Sequence, residues 1–134
     1  PQIRASIDRV RGAYGRYLPG GLSLPTEMSS MVVALPTAAT DVAADLAMAG
    51  VETRQWYQPD LTEHPAYQNG ARAGDLPNTA RLRGRILGLP FHAQLSEDDI
   101  VHVCAELDAI LKARAAPPIQ RCDQAFTARA SLMI

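Results

Sequence analysis

Lysine is almost missing from this sequence. Twelve of its 13 basic residues are Arg and only Lys112 is Lys, so chemistry that demands a primary amine must use Lys112 or take place outside this chain. Cysteine is nearly as scarce. Cys104 and Cys122 are too few for a disulfide framework and fit a reducing compartment. No apolar run approaches the roughly eighteen residues a membrane-spanning helix needs, and Pro1-Gln2-Ile3-Arg4 is not a charged-then-apolar leader. Neither sign of charge is in excess: 13 basic and 14 acidic side chains leave a net −1, so no overall field draws the chain to nucleic acid or an anionic membrane. Gly12, Gly15, Gly20 and Gly21 lack the spacing of a phosphate-cradling loop, and there is no G-x-S-x-G elbow for a hydrolase serine. His64, His92 and His102 have no His or Cys three or four residues on, so none opens a metal pair.

What is present suffices for one domain. At 134 residues, 47% apolar and 20% charged, the composition is that of an ordinary globular protein. A domain this size buries roughly two-thirds of the surface its unfolded chain exposes. It reads as a cytosolic α/β domain and, lacking an initiator Met and entering a helix at once, is expected to be a piece of a longer polypeptide. Ile3, Ile7, Val10, Tyr14 and Tyr17 predict an amphipathic first helix, with Arg4 and Asp8 paired on its other face and Leu18-Pro19-Gly20-Gly21 ending it. Met28–Leu35 predicts a buried strand. Ala38–Ala49 predicts a helix with Val42, Leu46 and Ala49 on one face and Gly50 just past its end. Val51–Tyr57 predicts a second strand, and residues 58–77 a long loop of the kind that often carries function. A short helix at Asn78–Gly84 and a strand at Arg85–Leu89 follow. Ser96 and Asp99 predict a capping box for a last helix whose stripe is Ile100, Val103, Cys104, Leu107, Ile110 and Leu111. Lys112 and Arg114 stand at its end, where the macrodipole favours cations, before Pro117-Pro118. The expected fold class is α/β, a small two-layer domain of about three strands with helices on one face. Its other face is left for a cover such as another domain. This domain takes residues 1–116, and residues 117–134 form a tail without an assignable period.

Most polar clusters have ordinary roles. His102 lies off the apolar stripe, Cys104 lies on it as a small core hydrophobe, and Glu97-Asp98-Asp99 complement a helix dipole. Arg54-Gln55-Trp56-Tyr57 is different. In a strand, Arg54 and Trp56 point to one face while Gln55 and Tyr57 point to the other. An Arg and two aromatic rings at a strand end, opening into a long loop, suit an anionic or planar ligand. They also suit a plain aromatic wall with Arg stacked on Trp.

As a string, Gly50–Tyr67 (GVETRQWYQPDLTEHPAY) resembles a segment of the DegT-like sugar-nucleotide aminotransferases, which show a Gly-Ile-x-Thr turn, then His-Tyr-Pro or Trp-Trp, then a Pro-Ala-Tyr or Pro-Ala-Phe stop. Leu76-Pro77-Asn78-Thr79-Ala80-Arg81-Leu82, then Ile86-Leu87-Gly88-Leu89-Pro90-Phe91-His92, then Leu95-Ser96, is similar to that family's closing signature. Leu22-Ser23-Leu24-Pro25 fits its entry into the small domain. The resemblance covers residues 1 to 112. By position Gly50, Thr53, Tyr57, Pro65, Ala66 and Tyr67 match. Trp56 stands where many members have His, Gln58 where they have Pro, and Thr62 where they have a second His. Arg54 with Trp56 looks like a subgroup written Thr-Arg-x-Trp.

The resemblance implies a parent enzyme with pyridoxal 5′-phosphate and an aspartate-aminotransferase-type fold. In such a parent the large N-terminal domain holds the cofactor lysine, the Asp at the pyridine nitrogen and the phosphate cup. This chain then corresponds to the C-terminal small domain, with no catalytic residue, cofactor ligand or metal of its own, and is expected to be inactive alone. The implied parent reaction moves an amino group, usually from glutamate, to a keto-sugar nucleotide; a few relatives instead use the pyridoxamine form for sugar dehydration. Tyr57, Arg54 and Trp56 are the implied sugar-nucleotide residues, near the interface of a cytoplasmic homodimer. Two other readings stay open: a free-standing, non-catalytic binding or assembly module derived from this domain, and a metabolite-binding domain unrelated to the cofactor.

Overall fold

The computed structural model describes residues 2–23, 30–56, 58–70 and 74–115. Tyr57, Cys122 and the tail at 117–134 lie outside the described residues. The chain runs through α1 (Gln2–Tyr17), β1 (Met31–Ala34), α2 (Ala39–Met48), a 3₁₀ turn (Pro65–Tyr67), α3 (Pro77–Leu82), β2 (Ile86–Leu89) and α4 (Glu97–Ala115).

The two strands pair antiparallel, with Met31 opposite Leu89 and Val33 opposite Leu87. Because side chains alternate along a strand, Met31, Val33, Leu35, Leu87 and Leu89 all enter one core. There they meet Val10 and Tyr14 of α1, Val42 and Leu46 of α2, and Ile100, Val103 and Leu107 of α4. Val32, Ala34, Ile86 and Gly88 occupy the opposite face. Three strands were expected, and among the described residues two form. The Val51–Tyr57 strand is reduced to one bridge at Arg54, whose amide donates to the Gly88 carbonyl at 2.9 Å while the Gly88 amide donates back at 2.7 Å. The reason lies at the end of α2. Gly50 takes φ +78°, its amide donates to Ala47 O at 3.0 Å and the Val51 amide donates to Leu46 O at 2.9 Å. This is the paired cap that glycine past a helix end permits. Val51 is thereby committed to the helix cap and the core, and only a short stretch remains to meet β2. On the far edge, Ser23 bridges Val33.

The last helix forms as its sequence predicts. The Asp99 amide donates to Ser96 Oγ at 3.1 Å and the Ser96 amide donates to Asp99 Oδ2 at 3.1 Å, a reciprocal box. Cys104 is buried on the stripe, and burial pushes its thiol up to about 11. Arg114 does more than complement a dipole: its Nε donates to Asp45 Oδ2 at 2.8 Å and its Nη2 to the Asp41 carbonyl at 3.1 Å, tying α4 to α2. His102 is exposed, with Nε2 3.3 Å from the Ala49 carbonyl.

Two members of the expected α1 stripe are exposed, and Ile7 is only half-buried. Ile3 is 75% exposed, and it lies about two turns before Val10, where burial begins. Tyr17 is 42% exposed because its hydroxyl donates to Glu97 Oε1 at 2.8 Å, beside Arg16 at 2.7 Å. Asp8 faces Arg11 at 3.7 Å rather than Arg4. The middle of α1 grips the segment after β2: Tyr14 Oη donates to Pro90 O at 2.6 Å, Arg9 Nη2 donates to Ala93 O and Leu95 O at 3.1 and 3.0 Å, and the Arg11 guanidinium sits 5.7 Å from the Phe91 ring centre.

Helices were expected on one face only. Instead α3, Trp56 and residues 60–62 lie with Ile86 on the face opposite the core. Asp60 holds this layer. Its buried carboxylate accepts the Thr62 amide at 2.7 Å, the Thr62 hydroxyl, and Arg83 Nε at the end of α3. These bonds, the Thr62 hydroxyl first and Arg83 next, hold the carboxyl at about 2, below the ordinary 3.8. No helix among the described residues is long and apolar enough to cross a membrane.

Two outcomes follow from these contacts. Tyr14→Phe removes the donor to a carbonyl at the buried hydroxyl's end and is expected to destabilise the chain by about 1–3 kcal/mol in urea unfolding; no change in midpoint would show that water takes over the Pro90 carbonyl. A carboxyl with a depressed folded-state pKa stabilises above its unfolded value and stops doing so as the pH drops through its folded value. The Thr62 amide should therefore keep its hydrogen-exchange protection factor down to about pH 4 and lose it toward pH 2. Asp60→Asn should lower that protection already at pH 7 and remove the acid-linked fall.

Candidate functional site

The 52–56 segment reaches the edge of β2 by the Arg54–Gly88 bridge, and alternation then sets Glu52, Arg54 and Trp56 along one wall. They line an open cleft of about 590 Å³ with Ser30, Gly88, Leu89, Pro90, Phe91 and His92. Glu52 and Arg54 belong to the docked segment, while Pro90, Phe91 and His92 belong to the segment that α1 grips. The cleft lies where β1 begins and β2 ends.

Trp56 lies directly over Gly88. A Cβ built on Gly88 would stand 2.3 Å from the indole Nε1 and 2.5 Å from Cδ1, so the ring occupies space that any other residue would fill. The indole also walls a second, mostly apolar groove of about 360 Å³. Leu61, Leu76, Leu82 and Ile86 line it, with the Asp60–Arg83 pair at its rim. Leu61 and Leu76 are 71% and 53% exposed there. One indole thus parts a polar cleft from an apolar groove.

The chemistry of the cleft is that of a recognition surface. Arg54 offers a planar fork of donors suited to phosphate or carboxylate oxygens, and among the described residues no carboxylate lies within ion-pair distance of it. His92 and the Ser30 hydroxyl add polar atoms, Glu52 adds an acceptor, and Trp56 and Phe91 add flat apolar faces. Lys112 is elsewhere: its Nζ meets Asp108 Oδ2 of the same helix at 2.5 Å on an exposed face. Among the described residues no three of His, Cys, Asp and Glu converge as a metal site requires. His64 is a local cap, its Nδ1 accepting the Ala66 amide at 3.3 Å.

Of the residues singled out in the sequence, Arg54 and Trp56 share this cleft as strand alternation predicts, and Tyr57 lies outside the described residues. Glu52, Ser30, Gly88, Phe91 and His92 were not singled out for binding. Glu52 carries the same two-residue period as Arg54 and Trp56, so the signal was there. His92 carried none, because its place depends on where β2 ends and how α1 holds the next turn.

Solved structures resemble this fold. An aminotransferase of the DegT, DnrJ, EryC1, StrS type from Brucella abortus is 22% identical with a TM-score of 0.69, covering 81% of this chain and 31% of that one. The aminotransferase TlmJ from Streptoalloteichus hindustanus is 27% identical with a TM-score of 0.63, covering 82% and 33%. The sugar aminotransferase CalS13 from Micromonospora echinospora is 20% identical with a TM-score of 0.58, covering 77% and 30%. This chain therefore spans about a third of the length of the structures it matches. Among curated proteins nothing matches it. The sequence model of the DegT/DnrJ/EryC1/StrS aminotransferases matches residues 22–108, most of the chain and all of the sheet, the cleft and the groove, and the chain belongs to that family.

Proposed function

We propose that this chain is the small, C-terminal domain of a pyridoxal-phosphate-dependent aminotransferase that moves an amino group to a keto-sugar nucleotide, and that its cleft holds part of that nucleotide. The observation that carries this reading is the placement of Arg54 and Trp56 in one open cleft. A guanidinium fork matches phosphate oxygens and an indole packs on a flat or apolar ring face. Tyr57, next in the chain, enters this reading through its match to the family's Tyr, as a source of a hydroxyl donor. That a solved relative is named a sugar aminotransferase supports the substrate class. A span of about a third of its relatives' length supports a further, cofactor-bearing domain in the same polypeptide.

The described residues do not fit the cofactor itself. The one lysine is paired with Asp108 on an exposed helix face and lines none of the clefts described, so no step through pyridoxal phosphate is assigned to this chain. Its work in this reading is to bind the sugar nucleotide, orient it and exclude water when the site closes. The same reading places the protein in the cytoplasm as a homodimer.

Two measurements test it. In the polypeptide that joins this chain to its cofactor domain, Arg54→Ala and Tyr57→Phe should each lower kcat/KM for the keto-sugar nucleotide about ten- to a hundredfold, the value of one charge-assisted hydrogen bond. The amino-donor half-reaction should stay unchanged. Unchanged sugar kinetics in both variants would reduce these residues to packing. The 134-residue chain mixed with pyridoxal phosphate and borohydride should show no stoichiometric adduct. Trapping at Lys112 that disappears in Lys112→Ala would overturn the assignment of the cofactor to another domain.

A further inference from the structure

We propose that Gly88 is a positioning residue for ligand recognition: by lacking a side chain it seats the Trp56 indole on the backbone of β2, and so sets the boundary of the cleft. This rests on the proposed role of that cleft in holding a sugar nucleotide.

Gly88 is buried mid-strand, where glycine costs stability and gives no packing. A strand glycine of this kind marks a close approach by something else. Here the approaching group is known. Gly88 and Arg54 exchange both backbone hydrogen bonds, so their side-chain positions fall on the same face, and residue 56 is the diagonal neighbour of residue 88. A long aromatic side chain at that diagonal leans across its partner, and Trp56 does so at a distance no Cβ tolerates, 2.3 and 2.5 Å. The remaining neighbour, the Arg54 carbonyl, would be 3.2 Å away, a tight contact that calls for a shift of only a few tenths of an ångström, far less than the indole requires. The clash that glycine avoids is therefore with the indole.

The consequence reaches both cavities. Trp56 borders the polar cleft on one side and the apolar groove on the other. A methyl group at position 88 must push the ring off the strand, and the ring borders both spaces. Movement into either changes the cleft's shape while leaving Arg54 docked by its backbone. Gly88 therefore acts through Trp56, and its effect should appear in ligand recognition.

Trp56 is the only tryptophan in the chain, so its emission reports the seat directly. In the 134-residue chain, Gly88→Ala should shift the emission maximum and change quenching by acrylamide. In the polypeptide with the cofactor domain, the same variant should bind UDP-glucose or dTDP-glucose about tenfold more weakly by calorimetry, the value of one lost ring contact. Unaltered emission and quenching overturn the seat. Altered emission with unaltered affinity, where Arg54→Ala does weaken binding, overturns the positioning role and leaves the proposed function standing. Failure of the native polypeptide to bind either sugar nucleotide, or affinity indifferent to both variants, overturns the proposed function and this role with it. If Gly88→Ala fails to fold, the background Trp56→Leu decides: a double variant as stable as Trp56→Leu alone supports an indole clash, and one that also fails to fold overturns it.

Discussion

Two backbone hydrogen bonds between Arg54 and Gly88 determine where this domain presents its chemistry. They dock a short segment antiparallel on the edge of β2, and the two-residue period of extended chain does the rest. Alternation sends Glu52, Arg54 and Trp56 along the cleft wall. The same period on β1 and β2 drives Met31, Val33, Leu35, Leu87 and Leu89 into the helices' core. A slip of one residue in the docked segment would turn Arg54 toward the core face, and one in β2 would turn Leu87 and Leu89 away from the core. The hydrophobic face of the sheet therefore enforces the register on which the polar face depends.

The parts legible in the sequence are those governed by neighbours along the chain. The capping box at Ser96 and Asp99 and the left-handed Gly50 involve residues no more than five apart, and both form as read. The stripe of α4 is legible for the same reason. The α1 stripe misleads at its two ends because periodicity shows which face can be buried, and only the tertiary partner shows how far burial extends; Ile3 overhangs and Tyr17 turns to Glu97. The expected strand at Val51–Tyr57 fails for a similar reason, since the Val51 amide had a competing partner in the cap of α2.

The candidate site was half legible. Arg54 and Trp56 stand out because an arginine shortly before two aromatic residues at a strand end suits ligand binding, and alternation puts them on one wall. Gly88 and His92 come from sequence more than thirty residues away, and nothing local marks them. Gly88 reads as a small residue in an apolar strand until the indole above it is located. The loop after Trp56, which composition identifies only as long and irregular, has a firm anchor in Asp60 and Arg83. That anchor joins residues 23 positions apart, a separation at which no sequence period points to a partner.

The grip of α1 on the segment after β2 has a mechanical meaning. Tyr14, Arg9 and Arg11 reach Pro90, Ala93, Leu95 and Phe91 from one stretch of a single helix. Pro90, Phe91 and His92 form one side of the cleft, while Arg54 and Trp56 on the other side are carried by β2 and the loop. Helix and rim are therefore tied as one lever arm: a torque applied to α1 would be delivered to one jaw of the cleft and opposed at the other by the sheet.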